Sequence, residues 1–117
     1  MLKHIYFFIE KDGNSPVEKF ISELTEKEGA KVSAYIKILK EFGHNVRRPI
    51  ADYLGEGIYE LRPQANRIFY FYFMKDSVVL LHMIRKRTDK IPPNDLKLCI
   101  KRKSEAELLR NVKDLEI

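Results

Sequence analysis

A chain of 117 residues, 44% hydrophobic and 33% charged, has the size and composition of one folded domain and is neither disordered nor fibrous. The formal charge of +5 calls for an acidic or phosphate-bearing partner. No apolar run approaches the roughly 18–20 residues of a membrane helix, the patch from Ile5 to Ile9 is too short for a signal-peptide core, and the one cysteine, Cys99, forms no internal disulfide, which fits a reducing cytoplasm.

In chain order, Leu2 to Glu10 carries β-branched and aromatic residues and ends at the turn cluster Lys11-Asp12-Gly13-Asn14, so it is expected as a first strand. Ser15-Pro16-Val17-Glu18 has the form of a capping box with proline at the first helical position. Val17, Phe20, Ile21 and Leu24 continue at helical spacing to about Lys27. Gly29 is expected to break this helix, and Val32, Tyr35, Ile36, Leu39 and Phe42 mark a second one from Ala30 that stops at Gly43. The short break predicts an antiparallel helical hairpin laid on one face of a sheet.

His44 to Tyr53, with Arg47-Arg48-Pro49, is expected as a loop. Gly57 to Arg62 is a strand by alternation, with Ile58, Glu60 and Arg62 on one face and Tyr59 and Leu61 on the other. After the turn Pro63-Gln64-Ala65-Asn66, Arg67 to Met74 is almost wholly aromatic, as in a strand buried on both faces. Val78 to Arg85 follows Lys75-Asp76-Ser77; alternation groups Val78, Leu80, His82 and Ile84 against Val79, Leu81 and Met83. Pro92-Pro93 ends the sheet. A last helix starts near Pro93 or Asn94 with Leu96, Cys99 and Ile100, and Ser104 to Glu107 can cap a fresh start toward Leu108, Leu109 and Val112, leaving one kinked helix or two.

The expected fold is therefore α+β: one domain over 1–117, with a small, mainly antiparallel sheet of about four strands, an N-terminal helical hairpin and a C-terminal helix. Positive charge is concentrated on the sheet region. From Gly43 to Ile91 there are nine Lys or Arg against five Asp or Glu, which is +4 of the total +5. Focused charge beside tyrosines and a carboxylate suggests a site for a polyanion, most simply nucleic acid.

Several chemistries lack their residues. His4, His44 and His82 have no metal-ligand spacing, so no metal and no cofactor is expected. The glycines form no phosphate-cradling loop. The constellation that remains is Glu60, Arg62, Arg67, Tyr70, His82 and the run Arg85-Lys86-Arg87. Arg67 opens the strand after a tight turn and returns close to Arg62; two adjacent guanidinium groups repel unless an anion lies between them, which hints at a phosphate. Arg47, Arg48, Tyr70, Arg85, Arg87 and Lys90 are the expected nucleic-acid contacts. The bland alternatives are a solvated cross-strand pair for Glu60 and Arg62, core positions for Tyr70 and His82, and a solvated cluster for Arg85 to Lys90.

The strings LGEGIYELRPQANRIFYFYF (Leu54 to Phe73) and VVLLHMIRKRTDKIPPNDL (Val78 to Leu96) resemble the phage-derived, HigB-like branch of the RelE/ParE toxin superfamily. That branch has a G-hydrophobe-aromatic-E-L-R strand, an R-hydrophobe-aromatic-Y strand, then L-L-H and a K-K-T-x-K-x-P segment. Met83-Ile84 and Ile91 depart from the pattern, and Arg87 stands in for its second lysine. The resemblance implies a RelE-like fold and the toxin of a type II toxin–antitoxin system, an endoribonuclease cleaving mRNA on the translating ribosome without a metal. It implies a cytoplasmic hetero-oligomer with a cognate helix-turn-helix, HigA-like antitoxin. The residues themselves do not mark its contact surface, for which the helical hairpin and Leu108 to Ile117 are the candidates. Carried across, Glu60, Arg62, Arg67, His82 and Lys86 are the catalytic set, with Glu60 the base, His82 its competitor, and Arg62, Arg67 and Lys86 stabilising the transition state. A ParE-like gyrase inhibitor acting by binding, and a passive nucleic-acid-binding domain, are the rivals.

Overall fold

The computed structural model describes residues 1–88 and 90–116; Asp89 in the charged run and Ile117 at the end of the expected docking segment lie outside them. Among the described residues, three helices and six strands follow one another as β1 (His4–Phe8), α1 (Pro16–Ser22), α2 (Glu26–Phe42), a 3₁₀ turn (Gly43–Asn45), β2 (Ala51–Gly55), β3 (Ile58–Leu61), β4 (Asn66–Phe73), β5 (Ser77–Arg85), α3 (Pro93–Leu109) and β6 (Val112–Asp114). The strands form one open sheet in the order β2-β3-β4-β5-β1-β6. All neighbours are antiparallel except β1 and β5.

The sheet is covered on both faces. Ile5, Phe7, Leu61, Ile68, Tyr70, Val78, Leu80 and Met83 pack with Val17 of α1 and Val32, Ile36 and Leu39 of α2. Phe8, Ile58, Phe69, Phe71, Phe73, Val79 and Leu81 pack with Cys99 and Ala106 of α3. Burial on both faces explains why β4 reads as an unbroken aromatic run. Each fully buried ring such as Phe69 or Phe71 contributes roughly 1.5–3 kcal/mol.

Six strands replace the expected four. Ala51 to Gly55, of which Ala51 to Tyr53 was expected as the end of a loop, is an edge strand paired with β3; Asp52 and Gly55 hide its alternation, since an edge strand needs only one apolar face. Val112 to Asp114, assigned to the end of a helix, pairs with β1 instead. Arg110 takes a left-handed conformation, φ 52°, and ends α3 there. Upstream of it, α3 is one continuous helix, and Leu108 and Leu109 on it are 82% and 57% exposed rather than clustered.

The hairpin breaks at Glu23 to Thr25, not at Gly29. Thr25 Oγ1 accepts from Glu28 N at 3.2 Å and caps α2, and one such cap outweighs the roughly 1 kcal/mol that Gly29 costs inside the helix. The expected Ser15 cap is not made; its hydroxyl oxygen is buried without a hydrogen-bond partner.

A bulge corrects the faces of β5. Phe69 pairs with His82 but Tyr70 with Leu80, so Leu81 is an extra residue. Beyond it the alternation reverses: Met83 joins the core under α1 and α2, and His82 and Ile84 turn toward α3. The carbonyl left out of the ladder at Leu81 accepts from Arg102 Nη1 of α3 at 2.9 Å.

Candidate functional site

The antiparallel run β3-β4-β5 sets the charged residues in rows on the face toward α3. Glu60 pairs with Phe69, which pairs with His82, and Arg67 pairs with Ile84 in the next row. Arg62, just past β3, is tied to the edge by donating from its amide to Ile50 O at 2.8 Å. Lys86 N donates to Ala65 O at 2.7 Å, which fixes the end of β5 against the β3–β4 turn.

Glu60, Arg62 and Arg67 meet. Arg67 Nε lies 3.7 Å from Glu60 Oε1, and Arg62 Nε lies 3.9 Å from Oε2. The Glu60 and Arg67 side chains are only 8% and 7% exposed. Both contacts exceed the 2.7–3.2 Å or so of a hydrogen bond, and Glu60 Oε1 is buried with no hydrogen-bond partner. Arg67 is anchored through Nη1, which donates to Gln64 O at 2.5 Å and Asn66 O at 2.8 Å.

Burial dominates the electrostatics. It raises the Glu60 pKa above the ordinary carboxylate range, against the opposing fields of Arg67, Arg62 and Lys86. It lowers that of Arg67, opposed by Glu60.

His82 stands apart. Phe69 lies between it and Glu60 in the row, and its ring stacks on Phe69 at 5.8 Å. Two strand spacings, roughly 10 Å, separate the two backbones. Its partner is Asp95 in the first turn of α3, with Nε2 2.7 Å from Oδ1. Burial lowers the His82 pKa, while the bond to Asp95 pulls the other way.

The expected nucleic-acid contacts divide. Arg87 and Lys90 are exposed and line a cleft of about 370 Å³ with Lys86 and Asp95. Arg85 turns to the opposite face and bonds Glu28 of α2 at 2.8 and 3.1 Å. Arg48 bonds Asp52 through Nε and Nη2 at 2.9 and 2.7 Å. Arg47 Nη1 donates to His44 O at 2.6 Å. Tyr70 cannot serve as a contact. It is 1% exposed, packed under α1 and α2 against Tyr59 and Tyr72, and burial holds its hydroxyl well above the ordinary tyrosine pKa. Among the described residues, no three His, Cys, Asp or Glu side chains are grouped to hold a metal.

Sequence reasoning missed Asp95, thirteen residues from His82 and on another element; no spacing rule links a strand to the helix that crosses it. It also missed a cleft of about 520 Å³ at the β2 edge, lined by His44, Arg47, Arg48, Tyr53, Tyr59 and Tyr72. The alternation that put Tyr59 opposite Glu60 was visible, but not that β2 would bring Tyr53 beside it.

Compared with known proteins, residues 19–104 match the family model described as Gp49-like phage-derived protein. No curated protein matches the chain in sequence.

Proposed function

The chain belongs to the Gp49-like family of phage-derived proteins, a toxin-like family related to RelE/HigB-type toxins, and from that premise we propose that it is the toxin of a type II toxin–antitoxin pair, with a RelE-like fold and endoribonuclease activity on mRNA in the translating ribosome. The observation that carries this is the buried Glu60 carboxylate, whose Oε1 has no hydrogen-bond partner and whose flanking guanidinium groups stand at 3.7 and 3.9 Å.

A buried carboxylate without hydrogen bonds gives up its hydration, and guanidinium groups beyond hydrogen-bond distance offset only part of that loss. A phosphodiester at the cluster resolves the arrangement. Its non-bridging oxygens take the guanidinium donors of Arg62 and Arg67, and its neighbouring 2′-hydroxyl meets the Glu60 carboxylate. Glu60, with a raised pKa, accepts the 2′-hydroxyl proton better than an ordinary carboxylate would. The 2′-oxygen then bonds to phosphorus, the bond from phosphorus to the 5′-oxygen breaks, and the leaving oxygen takes a proton from solvent. The products are a 2′,3′-cyclic phosphate and a 5′-hydroxyl end. Arg62, Arg67 and Lys86 stabilise the charge that grows on the phosphoryl oxygens.

With two strand spacings between them, Glu60 and His82 cannot both take that proton from one bound phosphate. Glu60 lies among the arginines, so it is assigned the base. His82 is held by Asp95, which lines the cleft with Lys86, Arg87 and Lys90, and in this reading that cleft takes the RNA strand away from the cut.

The partners follow the same proposal: a helix-turn-helix antitoxin and a cytoplasmic site of action. The test adds the purified chain to a reconstituted translation reaction and maps RNA 5′ ends by primer extension, with Glu60→Gln and Arg67→Lys in parallel. New ends that require active ribosomes and disappear in both variants support the assignment. Intact mRNA with the unaltered chain overturns it and leads to a gyrase supercoiling assay.

A further inference from the structure

We propose that the cleft at the β2 edge is a nucleobase site: it receives an unpaired base of the RNA strand whose phosphate lies at Glu60, Arg62 and Arg67. The proposal deepens the ribonuclease reading and rests on it.

The cleft is built from rings. Tyr53 and Tyr59 lie 4.8 Å apart, Tyr59 meets Tyr72 edge-on at 5.0 Å, and His44 stacks on Tyr72 at 3.7 Å with planes 21° apart. Tyr59 and Tyr72 pack against the core covered by α1 and α2, and Tyr53 pairs with Tyr59 across β2 and β3, yet Tyr53 is 54% exposed. An exposed aromatic group is a stacking platform only if it is held still, and this one is: Gly57 N donates to Tyr53 Oη at 3.1 Å and pins the ring to the β2–β3 turn. Tyr72 is pinned likewise, its hydroxyl donating to Gly43 O at 3.0 Å. Preorganised rings lose little further freedom when a base docks, and every base offers a π-face, so such a platform is tolerant of sequence.

Charge and continuity select a nucleotide strand over a free aromatic molecule. Arg47 and Arg48 stand on the rim, and the one carboxylate in the lining, Asp52, is already bonded to Arg48. Asp52 pairs directly with Glu60 across β2 and β3, and Tyr53 with Tyr59 in the next row. Because β2 is the edge strand, nothing further in the sheet separates the two faces there. A strand leaving the phosphate at Arg62 rounds that edge past Arg48 and presents its next base to Tyr53. The volume of about 520 Å³ is that of a small-ligand pocket and accommodates a base with its ribose.

The experiment measures binding of a fluorescein-labelled 2′-O-methyl RNA hexamer, which cannot be cut by 2′-hydroxyl attack, by anisotropy at fixed salt. The proteins are the unaltered chain, Tyr53→Ala and Tyr53→Phe, each also assayed for cleavage in the translation reaction and for its thermal midpoint. Loss of one stacked base corresponds to about 5–150-fold weaker binding. Tyr53→Ala is expected to fall in that range, and Tyr53→Phe, which keeps the ring but loses its bond to Gly57, to bind more tightly than Tyr53→Ala and more weakly than the parent. Equal affinity of Tyr53→Ala and parent, with cleavage intact, overturns the base site and leaves the ribonuclease standing; this is also the result if the cleft serves a protein partner. Weakened binding by Tyr53→Ala with no cleavage by the parent keeps the base site and removes the nuclease. No hexamer binding by the parent removes both.

Discussion

Arg85 and Arg67 each face a glutamate, at opposite faces of the same sheet, and only one of them is satisfied. Arg85 meets Glu28 in two hydrogen bonds at the surface, its side chain 50% exposed. Arg67 meets Glu60 at 3.7 Å, with both side chains almost fully buried and one carboxylate oxygen without a partner. The exposed pair needed no help, since water would have solvated both ions in any case. The buried pair is where good geometry matters most. The better geometry stands at the surface and the worse one inside, and the proposed function takes the inner cluster as the RNA site and the outer pair as structure.

Neutralising the inner carboxylate is the strongest way to break this contrast. Glu60→Gln is expected to lower cleavage by ~10²–10⁴-fold, the usual range for a lost general base, while leaving the urea midpoint at neutral pH equal or higher. The sign follows from the raised pKa. A carboxylic acid that holds its proton more tightly folded than unfolded takes nothing from stability below its unfolded pKa, and the full amount above its folded one; a neutral amide avoids that loss. A lower midpoint would mean that the two arginines need the charge between them.

The next largest effect is on pH dependence. Cleavage by the unaltered chain is expected to rise through a midpoint above 4.5, the ordinary value for glutamate, in single-turnover rates measured across the acid range. A midpoint at or below it would place the base elsewhere. Smaller is the effect of Asp95→Asn on His82. The Asp95 bond raises the imidazole pKa against burial, so its loss should lower the value seen in an NMR titration of the ring protons. No change there would detach Asp95 from His82 in solution. Least of all should come from the outer pair: Arg85→Ala is expected to leave the primer-extension pattern as it was, and a loss of cuts would return Arg85 to the RNA.

What could be foreseen from sequence divides along physical lines. Glu60, Arg62 and Arg67 were legible because two strands and a tight turn bring them together within a few residues. Tyr70 was not, since a tyrosine in a strand buried on both faces looks the same as one at a rim. His82 was placed on the wrong face because one extra residue at Leu81 reverses everything after it, and the bulge is held by Arg102, a side chain from a helix the alternation rule does not see. The edge strands β2 and β6 escaped for a related reason: short, polar and half-exposed, they exist through pairing rather than propensity. Gly29 misled because a cap four residues earlier settles where α2 begins.

The insertion of β1 between β5 and β6 bears on synthesis. Strands β3, β4 and β5 pair with near neighbours in the chain, so the Glu60 row can form as soon as Arg85 has emerged. β1 is made first yet waits for partners some seventy and more than a hundred residues later, Ile5 for Val78 and Tyr6 for Asp114. Closures over such separations are slow to form. The half of the sheet that carries the charges can therefore assemble well before the half that closes it, so the order of translation itself sets a delay between making the site and stabilising it.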